Sequence, residues 1–158
     1  NKLGKIYSSR LTSAELLISD YRSERVAGEI IEFSKVANTT TRLLERALSN
    51  EVIILGKTTQ LDIGWWLENK REKLNFERGW QPTVFLSPPD GIEIANTNRV
   101  VSPGDIMQID WGIGKNNYYT DLKRVAYVLD TNETKLPSWV QTAFNNSKDV
   151  RNIIKKRL

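Results

Sequence analysis

The chain has 158 residues, 39% of them hydrophobic and 27% charged, with a formal net charge of +4 and a pI near 9.3. This is the composition of an ordinary globular protein, and no stretch approaches the roughly 18 apolar residues that a membrane span needs. The basic residues are dispersed, which argues against nucleic-acid binding, and the lack of cysteine and histidine excludes disulfides and nucleophile–histidine catalytic pairs. We therefore expect a soluble protein, cytoplasmic or exported, that binds neither nucleic acid nor a membrane.

Three helices are predicted from their apolar spacing and their end signals. The firmest spans Arg25 to Ser49, where apolar and small residues recur at intervals of three and four. A second begins at a capping box, in which Thr59 can accept the amide of Asp62, and runs to about Lys73. The last covers Ser138 to Leu158 and ends on a basic cluster without a glycine or proline stop signal.

Between the second and third helices, short apolar runs alternate with turns and predict antiparallel strands. Ile106 to Ile113 and Tyr118 to Val128 are rich in β-branched and aromatic residues, and residues 114–117 supply a four-residue hairpin loop. The predicted order is helix, helix, strands, helix. No repeat or linker divides the chain, so residues 1–158 are expected to form a single α+β unit.

Two aspartates on this hairpin are the strongest chemical signal. With Ile113 facing Tyr118 across the loop, Asp110 lies directly opposite Asp121, with Cβ atoms about 4.5–5.5 Å apart. Facing carboxylates repel each other, whereas a hard or borderline divalent cation between them turns that cost into a binding site. Chance pairing of surface aspartates is the alternative. Against it, Asp110 lies within a strand rather than in the turn, and strands disfavour aspartate unless it has a role.

The segment from Gly104 to Arg124 resembles the first half of the metal site in the pita-bread family, which includes methionine aminopeptidase, aminopeptidase P, prolidase and creatinase. The long first helix is similar to its counterpart in bacterial Xaa-Pro aminopeptidases, and so are the stretches Ser8–Leu11, Ile54–Thr59, Asp62–Leu67 and Pro82–Val84. The resemblance implies half of a pita-bread fold, an antiparallel sheet covered by long helices. It also implies that residues 1–158 are the N-terminal half of a catalytic domain whose second half is absent.

Carried over by position, the resemblance makes Asp110 a ligand of one metal ion, through both carboxylate oxygens, and Asp121 a bridge between two ions. Arg124 would support Asp121 from behind. The two divalent ions would be Mn, Co, Fe or Zn, and they would serve to hydrolyse the N-terminal bond of a peptide substrate with proline second. The family's other ligands, a histidine and two glutamates, come from its second half, and its substrate-facing histidine has no counterpart in a chain without histidine.

The leading hypothesis is therefore a fragment of a metal-dependent Xaa-Pro aminopeptidase or dipeptidase. By itself it would bind metal weakly, hydrolyse nothing and contribute no catalytic residue. The rival hypothesis is a pita-bread module that binds a peptide or protein and has lost its chemistry, which the missing histidine favours. A creatinase-like hydrolase of a small substrate is a third possibility. Apolar surface that a second half would cover could also drive the formation of a homodimer.

Overall fold

The structure is a computed structural model that describes residues 4–8, 10–89, 91 and 94–157. Ser9 and Leu158, which belonged to predicted segments, lie outside these residues. The backbone divides into two compact units, Asn1–Glu32 and Phe33–Leu158. The helices are α1 (Gly4–Ser8), α2 (Glu15–Ser23), α3 (Ala27–Ala47), α4 (Gln60–Lys73) and α5 (Ser138–Lys155). The strands are β1 (Glu77–Arg78), β2 (Thr83–Ser87), β3 (Ile94–Ala95), β4 (Ile106–Trp111), β5 (Ile113–Lys115), β6 (Tyr118–Tyr119) and β7 (Leu122–Tyr127).

The first unit holds α1, α2 and the beginning of α3, and the sequence analysis missed the first two of these helices. No residue of α2 is buried, and its N-cap makes no side-chain hydrogen bond. The nearby hydroxyl of Ser13 accepts the N–H of Glu15 at 3.1 Å, which satisfies one of the free donors at the start of the helix. Because no face of α2 is buried within this unit, packing does not impose on its sequence the apolar spacing from which a helix is predicted.

The three predicted helices are confirmed in α3, α4 and α5. The capping box of α4 forms as expected, because the Oγ1 of Thr59 accepts the N–H of Asp62 at 3.1 Å and the Oδ2 of Asp62 accepts the N–H of Thr59 at 2.9 Å. In α3 the buried residues lie in its second half, from Val36 to Ala47. No helix in the described part of the chain combines the length and the apolar character that crossing a bilayer requires.

The strands of the second unit form two antiparallel sheets, one in the order β1-β5-β6 and one in the order β3-β2-β4-β7. Along β4, burial alternates, and Met107, Ile109 and Trp111 make up its buried face. These side chains join Leu44 of α3 and Leu67 of α4 in one core cluster, and each fully buried side chain of this size contributes about 1.5–3 kcal/mol. The expected α+β class, an antiparallel sheet covered by helices, is confirmed.

The turn that joins β5 to β6 is shorter than predicted. Asn116 and Asn117 adopt φ values of 54° and 64°, as the two central positions of a type I′ turn require, and Lys115 therefore pairs with Tyr118. The predicted four-residue loop and the pairing of Ile113 with Tyr118 are wrong. The physical reason is that asparagine tolerates positive φ, so two asparagines close the hairpin without help from their neighbours.

Gly114, which was assigned to the loop, belongs to β5. A Cβ atom at this position would lie 2.4 Å from the Cδ1 of Tyr119, so the ring of Tyr119 packs directly on the glycine. The hydroxyl of Tyr119 donates to the Oε2 of Glu77 at 2.8 Å, and the Oε1 of Glu77 accepts the N–H of Asn116 at 2.9 Å. The first strand of the sheet thus holds the turn in its two-residue form.

Candidate metal site

The site lies where the two sheets meet, at the break between β4 and β5. Gly112 occupies this break, and a Cβ atom there would lie 1.9 Å from the carbonyl oxygen of Thr120 and 2.4 Å from the Cη2 of Trp80. Real Cβ atoms do not approach other atoms this closely, so only glycine fits. The close passage of the two strands brings the residues that flank Gly112 near those that flank Thr120.

Asp110 lies on the half-buried face of β4, between Thr83 of β2 and Lys123 of β7. Its Oδ2 accepts a charge-assisted hydrogen bond from the Nζ of Lys123 at 2.9 Å. Its Oδ1 is buried and has no hydrogen-bond partner within the described residues. The expectation that Asp110 lies directly opposite Asp121 is wrong, because the two-residue turn shifts the pairing and puts a lysine opposite Asp110.

Asp121 lies one residue before β7 and is exposed to solvent. Continuing the register of β4 and β7 would place it opposite Gly112, which makes it a diagonal neighbour of Asp110. Diagonal neighbours in an antiparallel pair are roughly 7–8 Å apart at their Cα atoms. The structure therefore brings the two predicted ligands to adjacent positions, although they do not face each other.

Lys123 is the third charged group of the site, and the sequence analysis missed it. The pKa of Lys123 is raised above its ordinary value of 10.5, first by the hydrogen bond to Asp110 and then by the negative charge of that residue. Burial opposes the shift, and the charge of Asp121 adds to it. The ammonium thus interacts electrostatically with both carboxylates. The asparagine pair in the turn was the signal that could have revealed this, since a two-residue loop places Lys123 opposite Asp110.

Thr120 fixes the backbone next to Asp121. Its side chain is buried, and its hydroxyl shares a hydrogen bond of 2.9 Å with the hydroxyl of Thr40 on α3. The same oxygen accepts the N–H of Ile113 at 3.1 Å. A buried hydroxyl with these partners ties the end of β6 to a helix and to the neighbouring strand, and this holds the backbone from which Asp121 projects.

Arg124, the predicted supporting residue, pairs with Ile109 across the sheet, and its Nη1 donates to the carbonyl oxygen of Lys123 at 2.9 Å. Side chains alternate between the two faces along a strand, so Arg124 and Lys123 project from opposite faces of β7. The described residues include no ion pair between Arg124 and Asp121. The supporting role of Arg124 stays a prediction.

The donors at this site suit a hard or borderline divalent ion, since carboxylate oxygens are natural ligands of such ions. Asp110 also has a buried oxygen to which no donor is directed. The number of donors is too small, because nowhere in residues 4–8, 10–89, 91 and 94–157 do three or more His, Cys, Asp or Glu side chains come together. Asp110 and Asp121 can therefore serve as part of a ligand set, and the rest would have to come from outside the described residues.

Comparison with known proteins gives matches among solved structures, whereas no protein-family model and no curated protein matches the chain. The X-Pro aminopeptidase from Thermotoga maritima is 20% identical with a TM-score of 0.58, and the match covers 79% of this chain and 34% of that one. The Xaa-Pro dipeptidase from Bacillus anthracis is 18% identical with a TM-score of 0.58, and the match covers 85% of this chain and 36% of that one. The prolidase from Pyrococcus furiosus is 22% identical with a TM-score of 0.54, and the match covers 73% of this chain and 36% of that one. The chain therefore spans about a third of the length of these proteins and shares their pita-bread fold over that part, as expected.

Proposed function

We propose that the chain is part of a metal-dependent Xaa-Pro aminopeptidase or dipeptidase and that, by itself, it hydrolyses no peptide. The observation that supports this most directly is the buried Oδ1 of Asp110, which has no partner among the described residues and lies on the strand pair that leads to Asp121. A buried carboxylate oxygen without a donor or cation is costly. A divalent ion at this position would remove that cost. The shared fold makes a peptidase the natural setting for such an ion.

In this proposal Asp110 and Asp121 supply two of the ligands, and the remaining ligands and the catalytic base come from sequence outside this chain. The ions, Mn, Co, Fe or Zn, would polarise the scissile carbonyl and activate the attacking water when bound. The chain's own contribution is to hold the two carboxylates in place through Gly112 and Thr120, with Arg124 as a support for Asp121. A peptide is the proposed substrate, and no nucleic acid or membrane is involved. A homodimer formed through exposed apolar surface stays a prediction.

A non-catalytic binding module with the same fold is the second candidate. The observation in its favour is that the ammonium of Lys123 already neutralises part of the acidic pair, in a chain that has no histidine. The sequence that follows Leu158 in the whole protein separates the two candidates. A strand carrying histidine, and two separated glutamates on later strands, would complete a metal site, whereas their absence would favour the binding module.

The test of the proposed function uses the longer protein that contains this sequence. Asp121→Ala should remove bound metal and peptidase activity together, because a bridging carboxylate contributes to both ions. Metal content by elemental analysis and release of the N-terminal residue from an Xaa-Pro peptide are the two measurements. Asp149→Ala, in an exposed position of α5, is the matched control and should change neither. Retention of both metal and activity in Asp121→Ala would show that the bridging assignment is wrong.

The chain alone provides a second test. Isothermal titration with Mn²⁺ should show at most weak binding, because the described residues bring together too few donors for a complete site. A tight site that binds two ions per chain would contradict the proposal that ligands from outside the chain are needed.

A further inference from the structure

The position of Lys123 is set by the backbone. The register of β4 and β7 pairs Lys123 with Asp110, and facing residues of an antiparallel pair project from the same face of the sheet. The side chain reaches the Oδ2 of Asp110 at 2.9 Å. Asp121 lies two positions earlier along the chain, and its charge also acts on the ammonium. A single cationic group thus interacts with both members of the acidic pair.

We propose that Lys123 is the internal counter-cation of Asp110 and Asp121 and that a divalent ion binds to this pair only by displacing it. This inference rests on the proposed function, since it concerns the same two carboxylates. An ion held by both oxygens of Asp110 competes with the ammonium for Oδ2, and the positive charge of the lysine repels the incoming ion. Lys123 therefore lowers the affinity of this carboxylate pair for a divalent ion.

The exposure of the two partners indicates which one can move. The side chain of Lys123 is 58% exposed, whereas that of Asp110 is 25% exposed and has one oxygen buried. A lysine at such a position can turn its ammonium into water without leaving an unpaired charge in the interior. The carboxylate has no such freedom. Displacement of the lysine is thus the low-cost route by which the site exchanges one cation for another.

The identity of the counter-cation is also specific within the described residues. Asp110 has no other ion pair there, and Asp121 has neither an ion pair nor a hydrogen bond in that part of the chain. Arg124, the nearest other cation along the strand, projects from the opposite face. Removal of the charge of Lys123 would therefore leave two neighbouring carboxylates with no compensating side chain.

The experiment measures Mn²⁺ binding to the whole chain by electron paramagnetic resonance, which detects binding in the millimolar range. Lys123→Gln should bind Mn²⁺ roughly fivefold more tightly than the unaltered chain, which is the upper range of what one exposed ion pair contributes to an equilibrium constant. Lys123→Arg keeps the charge and should bind as the unaltered chain does. Lys115→Gln, an exposed lysine of β5, controls for the change in net charge. Circular dichroism verifies that each variant is folded.

The outcomes distinguish this inference from the proposed function. If Mn²⁺ binds equally well to Lys123→Gln, Lys115→Gln and the unaltered chain, and Asp110→Asn weakens that binding, the counter-cation role is refuted while the metal role of the pair stands. If no variant binds Mn²⁺, including Lys123→Gln, removal of the lysine charge does not open the site and the counter-cation role is refuted, whereas the proposed function is judged by Asp121→Ala in the longer protein. Tighter binding by Lys123→Gln that is lost again in the double variant with Asp110→Asn supports both.

Discussion

Replacement of Thr120 by valine tests whether the site depends on its buried hydroxyl. Valine has nearly the same shape but no hydroxyl, so the main effect of the change is the loss of hydrogen bonds. The N–H of Ile113 loses the oxygen that accepts it at 3.1 Å, and the shared hydrogen bond of 2.9 Å with Thr40 disappears. The carbonyl oxygen of Ile113, 3.1 Å from the Thr120 hydroxyl, still accepts the N–H of Thr120 at 2.9 Å. The hydroxyl of Thr40 is also 2.8 Å from the carbonyl oxygen of Val36, to which it can donate, so it keeps a partner.

The expected loss follows from these contacts. A buried N–H left without an acceptor costs about 1–3 kcal/mol, and the lost bond to Thr40 adds about 0.5–1 kcal/mol because its partner is satisfied elsewhere. We therefore expect Thr120→Val to lower the free energy of unfolding by about 1.5–4 kcal/mol. This would leave the chain folded if its stability lies in the usual range of about 5–15 kcal/mol.

Urea denaturation followed by circular dichroism measures this loss directly. Thr142→Val is the matched control, because Thr142 lies on the exposed surface of α5 and its hydroxyl donates to the carbonyl oxygen of Ser138 at 2.9 Å. Surface changes of this kind stay within about 0.5 kcal/mol. A loss for Thr120→Val no larger than that of the control would refute the idea that this hydroxyl holds the strand next to Asp121.

Two further predictions concern glycine and pH. Gly112→Ala should lower the free energy of unfolding by about 3 kcal/mol or more, because its Cβ would lie 1.9 Å from the carbonyl oxygen of Thr120. Gly64→Ala, in α4 with open space around it, should instead stabilise the helix by up to about 1 kcal/mol. Thermal denaturation of the two variants measures the difference. The N–H and hydroxyl of Thr59 lower the pKa of Asp62 below its ordinary value of 3.8. The stability that Asp62 contributes is present above pH 3.8 and is lost as the pH falls through its lower pKa in the folded state. In Asp62→Asn the free energy of unfolding, measured as a function of pH, should therefore decrease less over this acid range.

The helices of the second unit could be predicted because their signals are local. A capping box occupies four consecutive residues, so both of its partners, Thr59 and Asp62, can be recognised from the sequence alone. The buried stripe of α3 repeats at helical spacing, so its period alone is sufficient. The short helix α2 has no buried side chain and no side-chain cap, and without such features a sequence pattern does not separate a helix from an exposed loop.

The strand register was harder to predict than the helices, because it depends on the length of a single turn. Gly114 and Lys115 have the composition of loop residues, yet the ring of Tyr119 packs on the glycine and keeps it in a strand. A loop shorter by two residues leaves the same faces of the strands together but changes every cross-strand partner. Asp110 consequently faces an ammonium rather than a second carboxylate.

This difference changes the electrostatics that the resemblance implied. Two bare carboxylates carry a charge of −2, but with Lys123 beside them the net charge is −1. In the proposal above, a divalent ion would therefore meet a weaker attraction at this site than the sequence pattern predicts, and it would also have to displace a bonded ammonium. Identities of 18–22% to the peptidase structures show the path of the backbone, whereas the affinity for an ion depends on single side chains. In that proposal, additional ligands from the rest of the protein would shift this balance toward the metal, and the charge of Lys123 would set how strongly they need to bind the ion.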